Sequence, residues 1–188
     1  VKNLLADIDF LDYKKIKLVM DRGFYSEENI NDLFHDHLKF LVATKTSLGY
    51  VKSIIDYLRP TICNWNNYDP DHNMYVASQP IWWNYRKERP NKGDVDTGKR
   101  KVFLHVYFDK EREANESQNF SRLFVQLMTE LETEKRVAAH ETQYARYFVV
   151  DENAKPGKKV IPKQETIDMV QNHHGFFVLL TNDVKDPI

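Results

Sequence analysis

A single cysteine, Cys63, leaves no partner for an internal disulfide. One thiol suits a reducing compartment, and the first residues lack the basic, apolar and small-residue succession of a secretory signal. Long apolar runs are missing as well: Phe176–Leu180 has the length of a strand, far below the roughly 18–20 residues of a membrane-spanning helix. A membrane-embedded protein is therefore not expected, and the cytoplasm is the expected location. No glycine-rich phosphate loop and no nucleophile elbow occurs, which argues against nucleotide-dependent and serine-hydrolase chemistry. Nor is there an excess of one charge. With 27 basic against 28 acidic residues the formal net charge is −1, so any nucleic-acid contact has to come from a local patch.

What is present is ample core material. The 188 residues are 41% hydrophobic and 13% aromatic, enough for one good core or two small ones. Leu4, Leu5, Ile8 and Leu11 recur at helical spacing, and Ile16–Met20 reads as a buried strand ending at Asp21-Arg22-Gly23. Ser26 stands where a helix N-cap belongs, with Glu27 and Glu28 in the first turn, so a helix is predicted over Glu27–His35. Leu38–Ala43 is a second buried strand. Strand, helix and strand in about thirty residues make a βαβ unit with parallel neighbours.

Tyr50–Leu58 reads as a helix stopped by Pro60, and Met74–Ala77 and Ile81–Tyr85 as short strands interrupted by Pro80. Arg86–Lys101 reads as a loop, Val102–Phe108 as a strand, and the two sides as a hairpin. Phe120, Leu123, Phe124, Leu127, Met128 and Leu131 give the firmest helix, over 111–137, serving as a core helix or a dimer face. A strand over Arg146–Asp151, a turn over Ala154–Lys159 and a helix over Gln164–Gln171 follow. Phe176–Leu180 is a third buried strand of the same kind as the first two. The expected architecture is thus an α/β core with a parallel sheet from residues 1–45 and 174–188, with an α+β insertion over 46–173.

Asp21 is the leading candidate for chemistry. A carboxylate at the carboxyl end of a buried strand, followed by glycine, lies where open α/β sheets place their ligand crevices. Carboxylates are the hard donors that Mg²⁺ prefers. The plainer alternative is that Asp21 caps the turn. Seven bases against three acids between residues 84 and 101, among them Arg86, Lys87, Arg89, Lys99, Arg100 and Lys101, form a patch able to ride on DNA phosphates. Trp82 and Trp83 beside it could stack on unpaired bases, against the alternatives of plain packing and a solvated loop. His35, His37, His173 and His174 lack the spacing of a structural zinc site, and Cys63 has no activating neighbour.

Val19-Met20-Asp21-Arg22-Gly23-Phe24-Tyr25-Ser26, with Glu28-Asn29-Ile30 after it, resembles the block around the second catalytic aspartate of DDE transposases of the IS4-like and IS1634-like insertion-sequence families. Tyr107-Phe108-Asp109 leading through Arg112 into a long helix, and His174–Asn182, agree with later blocks of those families in the same order. The resemblance implies an RNase H-like catalytic core, with the inserted segment largely β around one long helix. It also implies metal-dependent DNA strand cleavage and strand transfer with Mg²⁺ or Mn²⁺, and Asp21 as one metal-holding catalytic residue. The first aspartate and the Tyr-x2-Arg-x3-Glu-x6-Lys signature have no counterpart in this sequence. The expectation is therefore an internal fragment, inactive alone, of a bacterial cytoplasmic enzyme that acts on transposon ends and target DNA and works as paired protomers. A non-catalytic DNA-binding or protein-interaction module is the rival reading.

Overall fold

The computed structural model describes residues 16–88, 95–151 and 159–187. In chain order these form β1 (Lys17–Met20), α1 (Glu27–His35), β2 (Lys39–Thr44), α2 (Gly49–Ile62), β3 (Tyr68–Asp69), β4 (Met74–Glu88) and β5 (Val95–Phe108). Then come α3 (Lys110–Glu132), α4 (Glu141–Tyr147), β6 (Phe148–Asp151), β7 (Lys159–Pro162), α5 (Gln164–Gln171) and β8 (Phe176–Thr181). The fold is mixed α/β. Six strands share one sheet in the order β1-β2-β8-β5-β4-β3, and β6 and β7 pair separately. The helical spacing at Leu4–Leu11, residue Arg89 and most of the turn at 154–159 lie outside the described residues.

The βαβ unit forms as its residues dictate. Ser26 Oγ accepts the Asn29 N–H at 3.0 Å, and Glu27 and Glu28 occupy the positive end of α1. His37 ends the helix in the left-handed region, φ 54°. The His37 N–H reaches the Phe34 carbonyl at 3.3 Å and the Leu38 N–H the Leu33 carbonyl at 2.9 Å, the paired bonds of a Schellman turn. Strands β1 and β2 are parallel, from Lys17↔Lys39 to Met20↔Val42.

Several expectations are corrected. Strand β1 is an edge strand among the described residues, and Val19 is 74% exposed; only Leu18 and Met20 turn toward the core. Among the described strands only the β1–β2 pair is parallel, because β8 runs antiparallel to both β2 and β5. The reason is where the chain returns: Phe176 pairs with Phe108, so β8 re-enters at the end of the sheet where β5 leaves it and must run the opposite way. The sheet also does not stop near residue 46. Residues up to Phe108, with those from Phe176 onward, form one compact unit, and Asp109–Gly175 forms a second.

Met74–Glu88 is one continuous strand through Pro80. Beyond Tyr75 it has, among the described residues, a partner on one side only, where a missing N–H is tolerated. Arg86, Lys87 and Lys99–Lys101, expected in a loop, lie on the paired strands β4 and β5. Helix α2 runs past Pro60 to Ile62, whose buried side chain seats the last turn.

The core of the first unit lies between α1 and α2 and one face of the sheet, with Ile30, Leu33, Val51 and Ile55 against Phe40, Val42, Leu104, Val106, Val178 and Leu180. On the other face the segment after β8 folds back. Buried His105 donates from Nε2 to the Val184 carbonyl at 3.1 Å, so its Nδ1 accepts from the Ser78 hydroxyl at 3.0 Å. Burial holds its pKa below the usual histidine value. Tyr107 donates to the Pro187 carbonyl at 2.8 Å. At the edge of β2, Asn182 acts as a further strand residue: its Oδ1 accepts the Phe40 N–H and its Nδ2 donates to the Leu38 carbonyl, both at 2.9 Å. Asp183 beside it pairs with Lys39 at 2.6 Å and Lys17 at 3.3 Å, and these ammonium groups hold its carboxyl below the usual range.

The second unit packs α3, α4, α5 and the β6–β7 pair around Phe120, Leu127, Leu131, Tyr144, Tyr147, Phe148 and Ile167. Its ends adjoin, the Asp109 N–H bonding the Gly175 carbonyl at 3.0 Å. Glu130 accepts from the Tyr144 hydroxyl, and from His140 and Gln126 at 2.8 Å each, and is pushed down to about 2 by these partners, the tyrosine foremost.

Two predictions follow from these contacts. Asn182→Ala strips two backbone groups of β2 of their partners and is expected to cost about 1–3 kcal/mol in urea unfolding. Because the folded-state pKa of Glu130 lies below the ordinary 4.5, its contribution is complete at neutral pH and is lost as pH falls from about 4.5 toward 2. Glu130→Gln should therefore flatten the acid limb of the stability curve across that window, as read by thermal melts.

Candidate functional site

Asp21 follows the last residue of β1 and is exposed. Its Oδ1 accepts the Arg22 N–H at 2.6 Å and caps the short 3-10 turn Arg22–Phe24. The Phe24 carbonyl is tied to Asn29 Nδ2 of α1 at 2.8 Å, which fixes the turn to the helix. A Cβ at Gly23 would meet nothing within 4 Å, so the turn itself is open to solvent at that position. The capping role is thus real, and it leaves the carboxylate facing solvent at the carboxyl end of a strand.

A divalent cation of the Mg²⁺ kind asks for several oxygen ligands converging from different elements. Among the described residues no group of three or more His, Cys, Asp or Glu side chains comes together. Asp21 supplies one arm, and the residues described do not by themselves fit a metal ion. The histidines have structural tasks: His37 ends α1, and His174 is hydrogen-bonded to Ser117 at 2.9 Å, against Phe120. Cys63 is exposed.

The basic patch is divided by strand alternation. Directly paired residues share a face, so Trp82 stands with Lys101, Asn84 with Lys99 and Arg86 with Thr97, while Trp83 stands with Arg100 and Tyr85 with Gly98. The two tryptophans, adjacent in sequence, have opposite fates. Trp83 donates from Nε1 to Asn31 Oδ1 at 2.9 Å and meets the Tyr50 ring edge-on, whereas Trp82 is 67% exposed. Tyr85 is buried against Phe34, and its ring lies alongside Gly98. Lys87 lies on the backbone of β4.

Beside this ribbon are two open clefts. One of about 560 Å³ is lined by Glu27, Asn31, Asn84, Arg86, Thr97 and Lys99 among others. The other, of about 350 Å³, shares Glu27 and Asn84 and adds Tyr50, Trp82 and Trp83. At the latter Tyr50 and Tyr25 share a hydroxyl bond of 2.9 Å, and burial raises both pKa values. Sequence reasoning missed Asn84, Thr97, Glu27 and Asn31. The first two were available from period-two alternation, had the loop been read as strand; the others needed the packing of α1.

The structure does not bring Asp21 and the patch together. The row Lys17–Lys39 aligns with Lys101↔Trp82, where the ribbon leaves the sheet, and Asp21 lies beyond the opposite end of β1. Strand spacing and rise place Arg86 on the order of 30 Å from it. No family model matches the chain, and no curated protein and no solved structure matches it either.

The unlike settings of the tryptophans set a direct test. Trp83→Ala should lower unfolding free energy by about 2–4 kcal/mol, through lost packing and the unpaired Asn31, whereas Trp82→Ala should stay within about 0.5 kcal/mol of wild type in the same urea titration.

Proposed function

We propose that the chain is part of a DDE transposase, a partial RNase H-like core that contributes Asp21 to metal-dependent DNA strand cleavage and strand transfer by the longer protein. The observation that carries the reading is the setting of Asp21: an exposed carboxylate just past a strand of a parallel βαβ unit, on a turn tied down by α1. Open α/β sheets use that position for ligands. A rigid strand end holds a carboxylate in place. The block Val19–Ser26 and its order relative to Tyr107–Asp109 and His174–Asn182 support the same reading.

One carboxylate holds no two-ion clamp, so the purified chain is expected to cut no DNA in Mg²⁺ or Mn²⁺. In the longer protein Asp21→Ala should abolish both cleavage and strand transfer while leaving binding to specific ends largely intact, read by a gel assay of end cleavage beside a binding titration. Retained transposition would remove Asp21 from the mechanism, and metal-dependent cutting by the present chain would show that its ligand set is complete within these residues. A non-catalytic DNA-binding module is the second reading, favoured by the exposed cations of the ribbon.

A further inference from the structure

Among the described residues, strand β5 has β8 beside it only from Phe103 onward, and β4 has β3 only at Met74 and Tyr75. From Ile81↔Val102 to Glu88↔Val95 the sheet therefore narrows to a two-stranded antiparallel ribbon, roughly 24 Å long at about 3.4 Å per residue. Its back is fastened to the helices through Trp83 with Asn31 and Tyr85 with Phe34. Its front carries Trp82, Asn84, Arg86, Thr97, Lys99 and Lys101, every one exposed. Among the described side chains that the two strands present on that face there are three cations and no acid, while Glu27 of α1 borders the clefts beside Asn84, Arg86 and Lys99.

We propose that this front face is a docking surface for duplex DNA and lies in the major groove. The inference rests on the DNA-handling reading above and adds the face, the strand class and the groove. The major groove, about 12 Å wide, admits a two-stranded ribbon. A ribbon held from behind by helices presents one face without losing its shape, so little ordering cost attends docking. The three cations complement a polyanion, while the rest of the chain is net negative once the bases of 84–101 are set aside, which leaves this contact to the patch. Asn84, between Trp82 and Arg86, has the amide that matches the N6 and N7 edge of adenine, and Arg86 the fork that matches O6 and N7 of guanine. Single strands are bound on rows of free aromatic rings; here Trp83 and Tyr85 are committed to the helices and Trp82 is the one ribbon aromatic on the front.

Face specificity makes the proposal testable. Fluorescence anisotropy of the 188-residue chain with a duplex of about 20 base pairs, between 50 and 200 mM NaCl, gives the slope of log K against log salt. Replacing Arg86, Lys99 and Lys101 together by Gln should reduce that slope by about 2.7, at about 0.9 per phosphate contact, which is about a 40-fold difference across this salt range. Lys99→Gln alone should remove about 0.9, and Arg100→Gln, the same charge change on the back, should leave the slope at its wild-type value. Methylating guanine N7 should weaken binding by the wild type. Equal slope losses for Arg100→Gln, or duplex binding untouched by the triple substitution, would overturn the ribbon face and leave DNA handling standing. Tighter binding to the single strand would overturn the duplex assignment. Absence of binding to either DNA would overturn the proposal as a whole, while Asp21 in the longer protein still decides the transposase reading separately.

Discussion

Strand β8 lies between β2 and β5, and the sheet is continuous only through it. The βαβ unit at one end and the long β4–β5 hairpin at the other are joined by the registers Leu41↔Thr181 and Phe103↔Thr181, made by a strand that arrives after the whole second unit. Thr181 is fully buried at this junction, and its hydroxyl donates to the Phe40 carbonyl at 2.7 Å. Asn182 and Asp183 then fasten β2 and β1 by amide and carboxylate. Pairings of such sequence separation cost more chain entropy to close than the local βαβ and hairpin contacts. The adjoining ends of Asp109–Gly175 suit this arrangement, because a segment that returns to its starting point leaves the register of β5 and β8 undisturbed.

That junction separates the two candidate features. Asp21 stands past the carboxyl end of β1, and the cationic ribbon leaves the sheet from the end where β1 begins. A single small substrate cannot touch both across such a span; an extended polymer can. On the proposed DNA reading, the span of about 30 Å corresponds to roughly nine base pairs at about 3.4 Å each. The alternation of the ribbon matters as much as its charge. It places Lys99 and Lys101 on one face and Arg100 on the other, so three consecutive bases do not act as one cluster.

Much of this was legible residue by residue. Ser26 with Glu27 and Glu28 marked the start of α1, and the 3.6-residue spacing from Phe120 to Leu131 marked α3, because caps and periodicity are local and survive without tertiary context. Pro80 misled, since proline interrupts a strand only where both sides are paired, and nothing local says that β4 is open on one side beyond Tyr75. The loop reading of Arg86–Lys101 failed for a related reason: charged, weakly apolar residues read as coil, yet a ribbon with one free face needs apolar or aromatic residues only on its back, as at Trp83 and Tyr85. Of the candidate site, Asp21 and the bases of the patch were found in sequence, but the partners Asn31 and Glu27 were not, because they come from a helix some fifty residues away.

By itself the sequence determined much of the local grammar: that α1, α2, α3 and α5 are helices, though not α4, that Ile16–Met20 and Leu38–Ala43 pair in parallel about a short crossover, and that a carboxylate ends the first of them. Tertiary structure decided direction and exposure. Phe176–Leu180 is as apolar as the first two strands, and apolarity has no polarity along the chain; only the return of the chain at Phe108 made β8 antiparallel. Val19 and Trp82 are exposed while Val42 and Trp83 face inward for the same reason. A side chain is buried by the element laid over its face, and which element that is depends on contacts distant in sequence.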